Sequence, residues 1–299
     1  MITIDDLASR LRHHLPGPGQ RQLPAAGLQL WRSRDGHDAL GAWQEPALVA
    51  ILQGGKRGML GGQRFAVQAG EMLVVHLPML MLCEAARLDD PDVLGVSIAL
   101  DEPLVAELVQ AATDAGFGPA PTGPLQAVAP LTEADRTTLA RLIQLADEPL
   151  AQPVLGPALR REWLFRALCS PAGPLLRTLV AEHGDSRVVW NVVQGMRARL
   201  ADTPDMVSLA RAHAMSPSRF YARFRAQTGA SPLQYLKRLR LQRAQQMIQH
   251  QGSGVAEAAY AVGYASASQF SREYRRAFGV PPGREAAGSG RRSGDLPAT

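Results

Sequence analysis

Cysteine is nearly absent from this chain, with Cys83 and Cys169 its only two in 299 residues. Two thiols cannot build a disulfide framework, nor can they supply a four-cysteine zinc site. Long apolar runs are missing as well. The longest, 72–83, is broken by His76 and Pro78 and falls far short of the roughly 20 residues that span a bilayer. Residues 1–14 carry Asp5, Asp6, Arg10 and Arg12 in place of an apolar stretch, so no secretory signal is expected and a cytoplasmic location is the default. The histidines lack ligand spacing. His13 and His14 lie on a polar segment, His37 sits in a Gly/Asp loop and His76 stands alone, so no metal and no other cofactor is expected.

Other features are ordinary or strongly patterned. Apolar residues make up 46% and charged residues 20%, which fits a globular chain with about two domains of ~100–200 residues each. The net charge of +5 conceals a division. Residues 1–185 hold 15 basic and 21 acidic side chains, a net −6, whereas 186–299 hold 17 and 6, a net +11. A basic final third on a mildly acidic body is the electrostatic footprint of a nucleic-acid-binding domain fused to something else.

The first segment predicts a short helix with Thr3 as N-cap and Asp6 reaching back to it, stopped by Pro16-Gly17-Pro18-Gly19. From Gly27 to Leu100 short β-like runs follow at 28–32, 47–53, 57–60, 64–67, 72–76 and 93–100. Gly54-Gly55, Gly61-Gly62, Ala69-Gly70 and Asp89-Asp90-Pro91 separate them, which predicts an antiparallel barrel or sandwich. Beyond Leu100 the period becomes helical over 102–115, 132–147, 156–170 and 174–183. Gly184-Asp185-Ser186 is the expected hinge.

The remainder contains an internal repeat. Moved forward by 50 positions, Ser216, Ser218, Phe220, Phe224, Arg225, Gly229 and Pro232 fall on Ser266, Ser268, Phe270, Tyr274, Arg275, Gly279 and Pro282. Ser216 and Ser266 suit helix N-caps, and Phe220/Phe224 and Phe270/Tyr274 are i,i+4 pairs on an inward face. Gly229 and Gly279 suit left-handed C-terminal caps. A shorter helix precedes each, at 207–213 and 255–262, through the turns His213-Ala214-Met215 and Gly263-Tyr264-Ala265. Ala210 and Ala258/Ala259 are small enough for the paired helices to cross closely. Each pair is therefore predicted to be a helix-turn-helix. Between them, 232–250 reads as one continuous helix with Leu233, Leu236, Leu239 and Met247 on its apolar stripe. At 1.5 Å per residue it spans roughly 28 Å, close to the ~34 Å between successive major-groove faces of B-DNA.

The run Leu209-Ala210, Met215-Ser216-Pro217-Ser218, Phe224, Gly229-Ala230-Ser231-Pro232-Leu233-Gln234-Tyr235, Arg240-Leu241, Ala244, then Val255-Ala256-Glu257-Ala258-Ala259, Gly263-Tyr264, Ser268-Gln269-Phe270-Ser271-Arg272-Glu273-Tyr274, Phe278-Gly279 and Pro282 resembles the double helix-turn-helix of AraC/XylS-type transcriptional regulators. It departs from their pattern at Gly283-Arg284, where a Tyr-Arg pair is usual. Glu45-Pro46, Gln53-Gly54, Gly70-Glu71, Pro153-Val154-Leu155 and Arg161-Glu162 resemble the barrel-like sensory domain of one branch of that family.

The resemblance implies an α+β chain of two domains. Residues 1–185 form a cupin-like antiparallel β-barrel with following helices, for effector binding and dimerisation. Residues 186–285 form an all-α tandem helix-turn-helix, and 286–299 a disordered tail. It implies a sequence-specific, effector-modulated regulator with double-stranded promoter DNA, RNA polymerase, an unidentified small molecule and a second copy of the chain as partners. One helix of 102–183 is expected to form the dimer seam. No enzymatic activity and no membrane association are expected.

By resemblance, base-facing positions fall on Ser218, Tyr221 and Ala222 in the first unit and on Ala267, Ser268, Gln269, Ser271 and Arg272 in the second. Gln269 suits adenine and Arg272 guanine. Arg219, Arg223, Arg225, Lys237, Arg238, Arg275 and Arg276 are the phosphate candidates. In the first domain Trp43, His76, Met79, Met81 and Cys83 are candidate pocket residues, each also readable as simple core. Cys83 reads as a small buried hydrophobe or, more sharply, as a thiol sensor. The sensor needs a lowered pKa that neighbouring Glu84 opposes. Cys169 is expected in the core.

Two rivals remain. A DNA-repair alkyl acceptor or cupin-type enzyme with a DNA module needs an activated cysteine or a two-histidine metal motif. A non-specific architectural protein needs apolar wedges where Ser268, Gln269 and Ser271 stand.

Overall fold

The computed structural model describes residues 1–34, 42–60, 63–83, 92–117, 127–180 and 185–284. The Gly61-Gly62 and Asp89-Asp90-Pro91 turns, His37, Glu84, Gly184 and the tail at 286–299 lie outside the described residues, as do the side chains of Trp43, Met79 and Cys83. The chain divides into two compact units, Met1–Arg187 and Val188–Thr299.

The amino-terminal unit opens with α1 (Ile4–His14), whose Thr3 and Asp6 form the expected reciprocal capping box. Among the described residues ten strands follow: β1 (Gly19–Leu23), β2 (Leu28–Arg34), β3 (Ala42–Gln44), β4 (Ala47–Gln53), β5 (Gly55–Leu60), β6 (Gln63–Gln68), β7 (Glu71–Val75), β8 (Met79–Cys83), β9 (Asp92–Ala99) and, later, β10 (Val128–Pro130). They form a six-stranded sheet in the order β1-β2-β9-β4-β7-β10 and a four-stranded sheet in the order β3-β8-β5-β6, and every pairing described is antiparallel.

The central strands of the larger sheet are apolar on both faces because both are covered. Val49, Ile51, Leu73 and Val75 point toward the smaller sheet, while Leu48, Ala50, Met72 and Val74 are buried on the other side, where α1 lies against β4 and β9. Strands buried on both sides read as unbroken apolar runs rather than alternating ones. Arg32 of β2 forms an ion pair with the buried Asp92 of β9 and donates to the carbonyls of Leu15 (3.1 Å) and Pro16 (2.6 Å), fastening the end of α1 to the sheet.

Four helices complete this unit: α2 (Glu102–Asp114), α3 (Glu133–Gln144), α4 (Gln152–Leu168) and α5 (Gly173–Arg177). Helix α4 begins four residues before the expected 156 because Pro153, not Pro157, occupies its first turn, and Pro157 lies inside the helix. Within the helix expected at 174–183, α5 is followed by turns at 178–180, and 181–183 lie outside the described residues. Cys169, expected in the core, is exposed. It caps α4 one step past the buried Ala167 and Leu168, and the next buried position is Ala172.

The carboxy-terminal unit is all-helical. After α6 (Asp185–Ala198), which incorporates Asp185 and Ser186 of the expected hinge, come α7 (Met206–Ala212), α8 (Pro217–Thr228), α9 (Pro232–His250), α10 (Val255–Ala261) and α11 (Ala267–Phe278). Of the stripe expected on α9, Leu236 and Leu239 are buried, Met247 packs at the core margin, and Leu233 is 46% exposed. The buried face runs instead through Tyr235, Leu236, Leu239, Leu241, Ala244 and Ile248. Leu233 sits in the first turn beside the Ser231 cap, where the helix end meets solvent.

His76, just after β7, is half-buried, and burial pushes its imidazole down to about 4. The unfolded chain therefore binds this proton first as pH falls from the free value of ~6.5. The contribution to stability is complete above that pH and is lost between it and about 4, by up to about 3 kcal/mol. Urea unfolding at pH 7.5 and 4.5 should show a smaller acid loss for His76→Gln than for the wild type; equal losses would contradict the assignment.

Candidate functional site

Both predicted helix-turn-helix units are present, and their boundaries follow from local chemistry. Ser216 caps α8 by accepting from the Arg219 N–H (3.3 Å), and Ser266 caps α11 by accepting from the Gln269 N–H (3.4 Å). Gly229 and Gly279 end these helices at φ 71° and 77°. Phe220 and Phe224 are fully buried, and Phe224 meets Tyr235 of α9 edge-on at 5.3 Å. Phe270 and Tyr274 are equally buried and share one cluster with Leu241, Ala244 and Ile248 of α9, Ala258 and Ala259 of α10, and Val262 at its C-cap. Helix α9 thus supplies side chains to the cores of both units.

The turns match atom for atom, with one residue inserted. The Met215 N–H donates to the Ala210 carbonyl (2.9 Å) and that of Ala214 to Arg211 (3.0 Å). The Tyr264 and Gly263 N–H groups donate likewise to Ala259 and Tyr260, both at 3.0 Å. This paired pattern is a Schellman ending, which needs a left-handed residue just past the cap. Gly263 fills that place in the second unit at φ 88°, and Ala214 fills it in the first at φ 53°. The repeat offset is therefore 49 before the turn and 50 after it, with Ala265 as the extra residue. Gly263 is required twice over, since a Cβ there would lie 2.5 Å from the Ala201 carbonyl oxygen. Arg240 of α9 donates to that carbonyl (3.0 Å) and to Leu200 (2.7 Å), satisfying acceptors left open beyond the end of α6.

Ser218, Tyr221 and Ala222 are exposed along α8, together with Arg219, Arg223 and Arg225. On α11, Ser268, Gln269, Arg272, Arg275 and Arg276 are exposed. Ala267 and Ser271 are half-buried. Ala267 packs against the core, and the Ser271 hydroxyl donates to the Ala267 carbonyl at 2.9 Å. Arg238 is half-buried on α9. Lys237 is already engaged by Glu273 (3.0 Å), a carboxylate that also receives hydrogen bonds from Gln269 (3.2 Å) and the Tyr264 hydroxyl (2.9 Å). Partial burial pushes the Glu273 carboxyl up, but the three donors outweigh it and hold it below the usual carboxylate range. Burial, reinforced by Glu273, raises the Tyr264 phenol. Glu273 therefore links the second turn, α9 and the outer face of α11, a role not apparent from its place in the sequence.

In the amino-terminal unit a cavity of about 180 Å³ lies between the two sheets. Of the five expected pocket residues, Met81 lines it and His76 does not; Trp43, Met79 and Cys83 have side chains outside the described residues. Trp43 and Met79 are nevertheless on paired strands, β3 opposite β8. His76 misses the cavity because it follows β7 on the phase of Met72 and Val74, opposite to the Leu73 and Val75 phase that points inward. Gln20, Gln29, Gln44, Lys56 and Ser97 line the cavity and were not anticipated. A signal for two of them was present: Gln29 and Ser97 each stand between apolar residues of a strand, at the inward phase of the period.

An amino-terminal unit of two antiparallel sheets followed by a carboxy-terminal pair of helix-turn-helix motifs defines a two-part helix-turn-helix protein. A family model described as "AraC-type transcriptional regulator N-terminus" matches residues 24–175, and a helix-turn-helix domain model matches 209–287. The chain belongs to the AraC-type transcriptional regulators. It is 36% identical over 117 residues to a putative AraC-like transcription regulator of Streptomyces lividans, covering 39% of this chain and 34% of that one. It is 27% identical over 151 residues to the transcriptional activator RhaS of Escherichia fergusonii, covering 50% and 54%. These matches span about a third to a half of the relatives' length. Among solved structures, ToxT of Vibrio cholerae shares the fold with a TM-score of 0.54 at 8% identity, over 87% of this chain and 97% of that one.

The difference between the two turns is testable by stability. Ala in the left-handed region costs roughly 1–2 kcal/mol, so Ala214→Gly should stabilise the protein by about 1 kcal/mol, while Gly263→Ala should destabilise it by more than about 2 kcal/mol. Thermal and urea midpoints check both; a neutral Gly263→Ala would mean that the second turn is not held as described.

Proposed function

We propose that this chain is a sequence-specific, DNA-binding transcriptional regulator whose amino-terminal domain, 1–185, binds a small-molecule effector and whose 186–285 segment reads promoter DNA. The observation that carries the reading is the pair of capped helices, α8 and α11, with buried aromatic faces and exposed polar and basic faces. Polar side chains at the start of α11 suit base edges, and the flanking arginines suit phosphates. The base-reading set is Ser218, Tyr221, Ala222, Ser268, Gln269 and Arg272. Ala267 and Ser271 contribute through packing and backbone shape. Arg219, Arg223, Arg225, Arg238, Arg275 and Arg276 take phosphates, and Lys237 would share its charge between phosphate and Glu273. We assign the chain no catalytic step and place it on the nucleoid in the cytoplasm. No helix among the described residues is long and apolar enough to cross a membrane.

We infer two further partners. RNA polymerase is one, as the target of a regulator bound at a promoter. A second copy of the chain is the other, seated on α4, where Val154 and Phe165 lie eleven residues apart on one side and are 72% and 42% exposed. Sedimentation should show a dimer at micromolar concentration that Val154→Asp weakens at least tenfold; a monomer with and without DNA would remove that seam.

Selection of bound DNA from a random pool should return a discrete site, protected in footprints at 150 mM salt. Against that site Arg272→Ala should lose ~1–3 kcal/mol at one base pair, whereas Arg225→Ala should weaken cognate and scrambled DNA alike. Uniform coating of all sequences would overturn the proposal.

A further inference from the structure

We propose that Glu273 is a positioning residue for sequence recognition. It holds one N–H of the Gln269 amide inward, which leaves the amide oxygen and the second N–H as a fixed pair for adenine. This rests on the reading of α11 as a recognition helix and names the residue that sets what Gln269 selects.

A carboxylate is unexpected on this surface. Helix α8 carries no acidic residue, and Glu273 is the single one on α11. At the repeat offset of 50, Gln269 and Glu273 stand where the first unit has Arg219 and Arg223. An acidic side chain in place of a basic one lowers the attraction for phosphate, so general DNA affinity does not account for it.

Its partners do. The Tyr264 hydroxyl donates to Oε2 of Glu273 (2.9 Å), and the buried Tyr264 ring meets Phe270 edge-on at 5.3 Å. The carboxylate is thus fixed from the core and not from another mobile side chain. Oε1 accepts from Lys237 (3.0 Å) and from Nε2 of Gln269 (3.2 Å), one turn earlier on the exposed face of α11. Both oxygens are turned to donors within the protein, so Glu273 acts through Gln269 rather than on a base edge.

Only the NH₂ end of a glutamine amide can donate, so the carboxylate decides which end is which. An unheld amide exchanges its oxygen and nitrogen by a half-turn and can lead with its donors toward the N7 and O6 acceptors of guanine. The held amide points Nε2 at Glu273, and its remaining acceptor and donor match N6 and N7 of adenine. Fixing the amide before DNA arrives also removes rotamer entropy from the cost of binding.

Selection of bound DNA from a random pool, run on full-length wild type, Gln269→Ala, Glu273→Ala and Tyr264→Phe, tests this role. The wild-type site should contain one A·T pair whose selection Gln269→Ala removes. Glu273→Ala, which keeps a good helix former in place, should relax the same pair by roughly fivefold or more and leave the pair lost in Arg272→Ala intact. Combining it with Gln269→Ala should relax that pair no further. Glu273→Ala should also bind scrambled DNA more tightly, with a steeper salt dependence, because a negative charge is gone and Lys237 is released. Tyr264→Phe, which keeps the charge, should relax the pair without that gain. A carboxylate that serves only to hold the fold would instead weaken all sequences alike. The role is overturned, with sequence-specific binding left in place, by a G·C pair at the Gln269-dependent position, by no pair that depends on Gln269, by an undiminished A·T preference in Glu273→Ala, or by equal losses on cognate and scrambled DNA. A wild-type pool without any discrete site overturns both.

Discussion

One helix anchors both halves of the carboxy-terminal unit. Near its start α9 places Tyr235 against Phe224, and further along it places Leu241, Ala244 and Ile248 among Phe270, Tyr274 and the alanines of α10. Most helical stability in a folded protein comes from tertiary packing, so α9 is held by the two cores it serves. Neither motif can be detached from it without exposing a buried aromatic. This shared burial ties α8 and α11 to one helix. Arg240 adds to it from the middle of the same helix by closing the carbonyls of 200–202.

The two motifs repeat one plan but differ in turn strain and in side-chain hydrogen bonding. The first keeps a left-handed alanine at Ala214, a strained choice, and its recognition helix carries apolar or ambivalent side chains at Tyr221 and Ala222. The second has glycine at the corresponding point and fixes Gln269 through Glu273, which Lys237 and Tyr264 hold in turn. A side chain held by a hydrogen-bonded carboxylate loses less rotamer freedom on meeting a base than one waving in solvent. On the proposed reading, the second motif therefore meets DNA with the more preorganised of the two polar faces.

The parts of this fold readable from sequence are those with local causes. Serine caps, glycine stops and i,i+4 aromatic pairs act within one or two turns, so the boundaries of α8, α9 and α11 could be set to within a residue. Strands β1, β3 and β10 have no such signature. Gln20-Arg21-Gln22 is polar throughout and becomes a strand by pairing with β2, and β10 is three residues ending in proline, added to the edge beside β7. Leu233 was misplaced because composition cannot tell a capped, solvated first turn from a buried one. Cys169 was misplaced because one residue past a buried leucine turns the chain by about 100°. The cavity residues were hidden for a related reason: a glutamine in a strand marks either a solvent face or a polar interior, and only the second sheet decides which.

A ligand in such a cavity can alter DNA binding only through a difference in its affinity for two states of the protein. The walls constrain what those states are. The deep face is formed by Val49, Leu73 and Val75 on strands buried on both sides, and close-packed interiors of this kind do not yield gradually. The polar end of the cavity is different, since Gln20 lies on the edge strand β1, which pairs on one side only, to β2, and Lys56 reaches it from the opposite sheet. Strand β1 follows directly on α1, whose end Arg32 ties at Leu15 and Pro16. Any movement that a ligand could bias is therefore expected at the polar end, where the sheet has an edge, rather than at the close-packed apolar end.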